Sequence, residues 1–246
     1  MTDESAVLLH AQSELLEASL SEIPDQARKQ RKAITDCLAQ TFFNLLNRLN
    51  SPLVLEIGAH EGRFSKKIKT CRPQTRVVAF EANPLVYARF APAMTQAGVE
   101  YHQLCVAERE GDTILKVPKK NGVESLNMGS LLRHRKLAEW SEYPVRAVSL
   151  DGFLGDAAGL PNAMWVDVEG ALANIFAGAE RTLHNCQAAY VEMERVARWE
   201  GQMIDIDVVS HLAHYGLKPV LRDIQRPGFY NAIFIRQVWS SASTVT

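Results

Sequence analysis

A chain of 246 residues, 47% hydrophobic and 22% charged, carries enough apolar material for one full core, which excludes the disordered and membrane-spanning classes. Its formal net charge of −1 gives no overall field to hold nucleic acid. Four scattered cysteines, Cys37, Cys71, Cys105 and Cys186, form no C-x-x-C pair, and so argue against a zinc or disulfide framework.

The acidic start Met1-Thr-Asp-Glu-Ser5 lacks the basic region of a signal peptide, and no run approaches a membrane span; reduced thiols in the cytoplasm are expected. Residues 1–50 read as a helical extension of two segments divided at Pro24. Ile34, Leu38, Phe42, Leu45 and Leu49 recur at helical spacing, so this face packs on something. A cap over the sheet is favoured over a lid or a homodimer contact through these helices. The cluster Arg28-Lys29-Gln30-Arg31-Lys32 has no interleaved aromatic side chain and reads as a solvated face.

Leu53–Ile57 is a short apolar run bounded by Pro52 and Gly58, the pattern of a buried strand. Gly58 and Gly62 then make a tight turn that opens a helix, whose free N–H groups face a crevice. The spacing departs from G-x-G-x-x-G, which weakens a pyrophosphate ligand and with it a nicotinamide-dependent oxidoreductase. A second strand, Arg76–Phe80, ends in Glu81, about where such folds put the acid that accepts both ribose hydroxyls; an adenosine is implied.

The first helix stops before Arg72-Pro73, and Asn83-Pro84 starts another that Gly98 ends, with Pro92 expected to kink or split it. Tyr101–Val106 reads as a third strand, with Ala107-Glu108-Arg109 leaving it beside the adenine position. From about 112 to 150 the βα rhythm breaks. Thr113–Val117 and Pro144–Val148 look like extra strands, and the loop between them, with Glu124–Leu126, Met128–Ser130 and Arg133-His134-Arg135, is where substrate contacts are expected. Ala163–Val166 runs into Asp167-Val-Glu169-Gly170 and a helix carrying Leu172, Ile175, Phe176, Ala179 and Leu183. Two-residue spacing puts Asp167 and Glu169 on one side of an extended segment. Gln187–Met193, a helix over Val208–Tyr215, and the pair Lys218–Leu221 and Tyr230–Ile235 close a main domain of residues 51–240, with 241–246 as a frayed tail.

Several of these segments also match a known family in order. They are Glu56-Ile-Gly-Ala-His-Glu-Gly-Arg-Phe64, Phe80-Glu-Ala-Asn-Pro84, Val106-Ala-Glu-Arg-Glu-Gly111, Val117-Pro118, Val148–Leu154, and Val166-Asp-Val-Glu-Gly170 continuing to Gly178-Ala179. In this order the chain resembles the FkbM family of S-adenosyl-L-methionine-dependent methyltransferases. The resemblance implies a doubly wound, Rossmann-like α/β fold of the class I type, a seven-stranded mostly parallel sheet with an antiparallel last strand. It implies O-methylation of a small-molecule hydroxyl, on a sugar, glycolipid or polyketide-like compound. Carried over by position, Glu56, Gly58, His60, Gly62 and Phe64 border the methionine part of the cofactor. Glu81 takes the ribose, with Ala82 and Asn83 following, and Ala107 and Glu108 take the adenine edge. Asp167 faces the methyl group. The family usually has asparagine in place of His60 and a second acid in place of Leu172.

For the base that removes a hydroxyl proton the candidates are Asp167, then Glu169, then His134 if the insertion folds over the site. Competing roles are an Asp167 that binds the cofactor ammonium or caps the next helix, a Glu169 at a helix start, and a plain loop histidine. No metal site is expected. Leu172 and the helical extension motivate the alternative of a non-catalytic binding or scaffold protein.

Overall fold

Every residue of Leu53–Ile57 (β1) is buried, so this strand belongs at the centre of a sheet covered on both faces. In the computed structural model, which describes residues 11–12, 24–49 and 52–237, it pairs in parallel with Arg76–Phe80 (β2) on one side and Asn162–Val166 (β8) on the other. Glu100–His102 (β3) lies beyond β2; Cys186–Glu194 (β9), Phe229–Arg236 (β11) and Leu217–Arg222 (β10) lie beyond β8. The order is β10-β11-β9-β8-β1-β2-β3, and β11, last in the chain, runs antiparallel between β9 and β10. This is the doubly wound, Rossmann-like α/β arrangement expected from the sequence. The expected tail at 241–246, and the N-terminal segment before Pro24 except residues 11–12, lie outside the described residues.

Pleating divides the core. Leu55, Ile57, Val166, Val191 and Phe234 face one side of the sheet. There they meet the helices Leu150–Leu154 (α4), Leu172–Ala177 (α5), Glu180–His184 (α6) and Asp205–His214 (α7). Val54, Ala163, Tyr190 and Ile233 face the other side and meet Pro24–Leu46 (α1), Arg63–Cys71 (α2) and Pro84–Gln96 (α3). Phe42 of α1 is fully buried, 5.8 Å from the Phe64 ring and 5.7 Å from that of Tyr190, a burial that contributes about 1.5–3 kcal/mol. Leu38, Phe43 and Leu46 join it, so the apolar stripe of α1 is spent inside the protomer as a cap on the sheet.

Four expectations change in detail. The third strand divides: β3 stays in the main sheet, whereas Cys105–Val106 (β4) pairs in parallel with Trp140–Val148 (β7). Gly111–Lys120 (β5) and Val123–Glu124 (β6) complete a separate four-stranded sheet, β4-β7-β5-β6, so the insertion is a layer of its own. Pro92 leaves α3 unbroken, because the carbonyl it orphans belongs to Ala88 on the exposed side, where water can satisfy it. The helix after Gly170 breaks at Gly178, where a Cβ would lie 2.2 Å from the Ala107 carbonyl oxygen; α6 restarts with Asp151 accepting from the Arg181 and Thr182 N–H groups. Among the described residues no helix is long and apolar enough to cross a membrane.

Candidate active site

Register and pleat together set a polar row along the strand exits on the α1 side of the sheet. Ala79, Glu56, Trp165 and Tyr190 stand level on β2, β1, β8 and β9. Two residues further on, the same face carries Glu81, Gly58, Asp167 and Glu192, with Asn231 of β11 opposite Glu192. All of these but Ala79, with Phe64, His60, Ala82 and Glu169, line one cavity of about 950 Å³. Thr35, Gln40 and Phe43 of α1 wall its outer side.

Gly58 is the floor of the row. Its φ of +79° disfavours any side chain, and a Cβ would lie 1.8 Å from the Asp167 carbonyl oxygen. The turn carries two more left-handed residues, His60 at φ 46° and Gly62 at φ 62°; histidine is over-represented in this conformation among residues other than glycine, which suits His60 to its place. The His60 carbonyl accepts from the Tyr101 hydroxyl at 2.7 Å, and its ring packs 5.4 Å from Phe90. Burial lowers the His60 pKa.

Glu81 is 9% exposed, and its two oxygens each accept one backbone N–H, from His60 at 2.9 Å and Asn83 at 2.7 Å. Burial raises its pKa, opposed by those two N–H groups. Glu56 reaches across to the Ser65 N–H at 3.1 Å, serving the first turn of α2, whose Gly62 has no capping side chain. Burial pushes its pKa to about 7. An acid raised in the folded state stabilises fully below its unfolded value of 4.5, and that contribution is lost as pH rises through about 7. Protein without added ligand should therefore melt at a higher temperature at pH 5.5 than at pH 8, with Glu56 worth up to about 2 kcal/mol of the difference. Differential scanning calorimetry of Glu56→Gln should show a shallower slope; an unchanged slope would contradict the cause.

At the other end of the row the carboxylates crowd. Asp167 faces the cavity with Glu192 beside it on the next strand. Burial raises the pKa of both, and the neighbouring charges of Asp167, Glu169 and Glu194 drive Glu192 further up, so the pair is disposed to share a proton. Burial, then the charge of Asp167, pushes Glu169 to about 7. Sequence reasoning missed Glu192. Its signal was a repeated acid-x-acid pattern, Asp167-Val-Glu169 and Glu192-Met-Glu194, at the exits of consecutive strands.

Other expected residues lie apart. Gly62 backs onto Met94, and Asn83 caps α3 while its amide donates to the Leu126 carbonyl at 3.3 Å. Ala107 is tied to Val148 at 2.8 Å and Glu108 is exposed beside Arg109, so Leu104, Cys105 and Val106 border the cavity there instead. His134 does not reach the cavity. It stands edge-on to buried Trp199 at 5.0 Å, while Arg135 N–H donates to the Arg198 carbonyl, closing the insertion against the loop after β9. Leu172 is 3% exposed within the core, so an apolar residue there serves packing. Among the described residues no cluster of three His, Cys, Asp or Glu side chains has the arrangement to hold a metal.

Residues 56–219 match the model of the methyltransferase FkbM domain. The chain belongs to the FkbM methyltransferase family. Like other members it is an S-adenosyl-L-methionine-dependent methyltransferase. It is similar to the 2-O-methyltransferase NoeI of Sinorhizobium fredii (strain NBRC 101917 / NGR234), at 24% identity over 164 residues, covering 62% of this chain and 67% of that one. Among solved structures it resembles magnesium protoporphyrin IX methyltransferase (ChlM) of Synechocystis PCC 6803 with bound SAM (10% identity, TM-score 0.47, 87% and 82% of the two chains). It also resembles the PH0226 protein of Pyrococcus horikoshii OT3 (10%, TM-score 0.46, 87% and 93%).

The residues present fit the FkbM cofactor. Gly58 forms a cradle of closely apposed β1 and β8 backbone on the cavity wall, where a Cβ would strike the Asp167 carbonyl oxygen, and Glu81, with one N–H on each oxygen, keeps lone pairs for two further donors such as ribose hydroxyls.

Proposed function

We propose that this FkbM methyltransferase transfers a methyl group to a hydroxyl oxygen of a sugar, glycolipid or polyketide-like small molecule. The observation that carries the reading is Asp167, central in the row, beside Gly58 and next to Glu192 of the adjoining strand. When bound, S-adenosyl-L-methionine supplies a methyl group activated by its sulfonium. Glu81 holds the ribose hydroxyls, Glu56, Gly58, His60 and Phe64 border the methionine part, and Ala82 with Leu104, Cys105 and Val106 encloses the adenine.

Asp167 takes the proton that the attacking hydroxyl must lose, a contribution of roughly 10²–10⁴-fold. Burial raises the Asp167 pKa, which favours proton uptake there, and Glu169, raised to about 7, is ready to relay the proton to water. Orientation of the acceptor oxygen supplies more, on the order of 7–11 kcal/mol at best. The similarity to a 2-O-methyltransferase supports oxygen as the target atom.

The test is incubation with methyl-labelled S-adenosyl-L-methionine and a panel of glycosides, glycolipids and matched amines. Label recovered as a methyl ether is expected. Label on nitrogen alone, or on nothing across the panel and whole-cell extracts, would overturn the reading.

A further inference from the structure

Asn231, at the far end of the polar row, lines the cavity yet is only 2% exposed. On its outer side stands Asp223, wholly buried. Asp223 Oδ1 accepts the Asn231 backbone N–H at 2.6 Å, and Oδ2 accepts the side-chain Nδ2 at 2.8 Å. The carboxylate thus fixes which way the amide points, since the reverse orientation would set two acceptor oxygens against each other. Asn231 Oδ1 is turned away from Asp223, and it is buried with no hydrogen-bond partner. Unmet buried acceptors are rare and call for a donor.

The surroundings say which kind. Glu169 Oε2, in the same cavity, is a second buried acceptor without a partner. Trp165 and Tyr190, both lining the cavity, stack on each other at 3.7 Å and 9°, and Phe64 packs 4.8 Å from the Trp165 ring, so the ring faces are spent within the protein. Two acceptor oxygens without partners suit a ligand that brings more than one hydroxyl donor.

We propose that Asn231 is a specificity-determining residue of the methyl-acceptor site, resting on the methyltransferase reading above. Positioned by Asp223, its Oδ1 accepts a hydrogen bond from a hydroxyl of a neutral polyhydroxylated ring. A carboxylate in place of that hydroxyl would face the acceptors Asn231 Oδ1 and Glu169 Oε2 and bind less well, even with Arg226 on the cavity wall.

The probes are methyl β-D-glucopyranoside and methyl β-D-glucuronoside, followed by saturation-transfer NMR on the full chain loaded with S-adenosyl-L-homocysteine. The neutral glycoside should bind about ten-fold or more tighter than the glucuronoside, as for a site built to bond a hydroxyl. Asn231→Leu should weaken the neutral glycoside by about ten-fold or more while S-adenosyl-L-homocysteine binding stays within about two-fold. The exchange variant Asp223→Asn with Asn231→Asp restores the pair and still offers an acceptor oxygen, so it should recover the neutral glycoside. Equal binding of the two glycosides, an unaffected Asn231→Leu variant, or no glycoside binding to the loaded protein would each overturn the proposal. Failure of S-adenosyl-L-homocysteine itself to bind would instead overturn the cavity assignment on which it rests.

Discussion

Asp167→Asn should reduce methyl transfer by roughly 10²–10⁴-fold and leave S-adenosyl-L-homocysteine affinity within about three-fold of wild type. Asparagine keeps the shape and one acceptor oxygen but cannot take up a proton at neutral pH. The cradle is spared because Gly58 abuts the Asp167 main chain and not its carboxylate. Glu192→Gln separates the two acids. Its amide stands beside Asp167 and cannot exchange a proton with it, so the loss should be smaller than at Asp167. Steady-state kinetics with an acceptor found by the labelling panel checks both. A loss below about ten-fold at Asp167 would leave the base elsewhere.

Gly58→Ala should be the most damaging single methyl group in the chain. The new Cβ would lie 1.8 Å from the Asp167 carbonyl oxygen and 2.9 Å from its carbon, both main-chain atoms that cannot move without parting β1 from β8. The left-handed φ adds about 1–2 kcal/mol. A total of about 3 kcal/mol or more, with cofactor affinity reduced by about 100-fold, is expected. Gly62→Ala is the internal control. Its Cβ would meet the Met94 thioether at 2.1 Å, the far end of a flexible side chain, so little beyond the φ penalty of about 1–2 kcal/mol should appear. Denaturant unfolding paired with calorimetric titration checks this, and equal losses at the two glycines would contradict the cradle.

The β1–turn–α2 unit, the Asn83 cap and the helix stop at Gly98 were legible in the sequence because each rests on local chemistry: a β-branched run, glycines, a capping amide. Strand partners beyond that range were not. Tyr101 and Cys105 read as one strand, yet Cys105 finds its partner at Ala147, far along the chain, and so Leu104 and Val106, and not Ala107, line the cavity there. His134 looked like a candidate base from its residue type, whereas its fate depends on Trp199, which only the closed loop brings to it. Glu192 and Asn231 were hidden for the same reason. Each is an unremarkable polar residue near a strand end until register puts it beside Asp167 or Asp223.

The central claim is that one carboxylate, Glu81, anchors the nucleoside in this cavity through lone pairs its backbone partners leave free. Isothermal titration of S-adenosyl-L-homocysteine into the wild-type chain and into Glu81→Ala tests it most directly. Two charge-assisted hydrogen bonds of about 1.5–3 kcal/mol each are lost, so binding at one site should weaken by about 100-fold or more. Equal affinity in the two proteins, or no binding to the wild type at millimolar ligand, would contradict it.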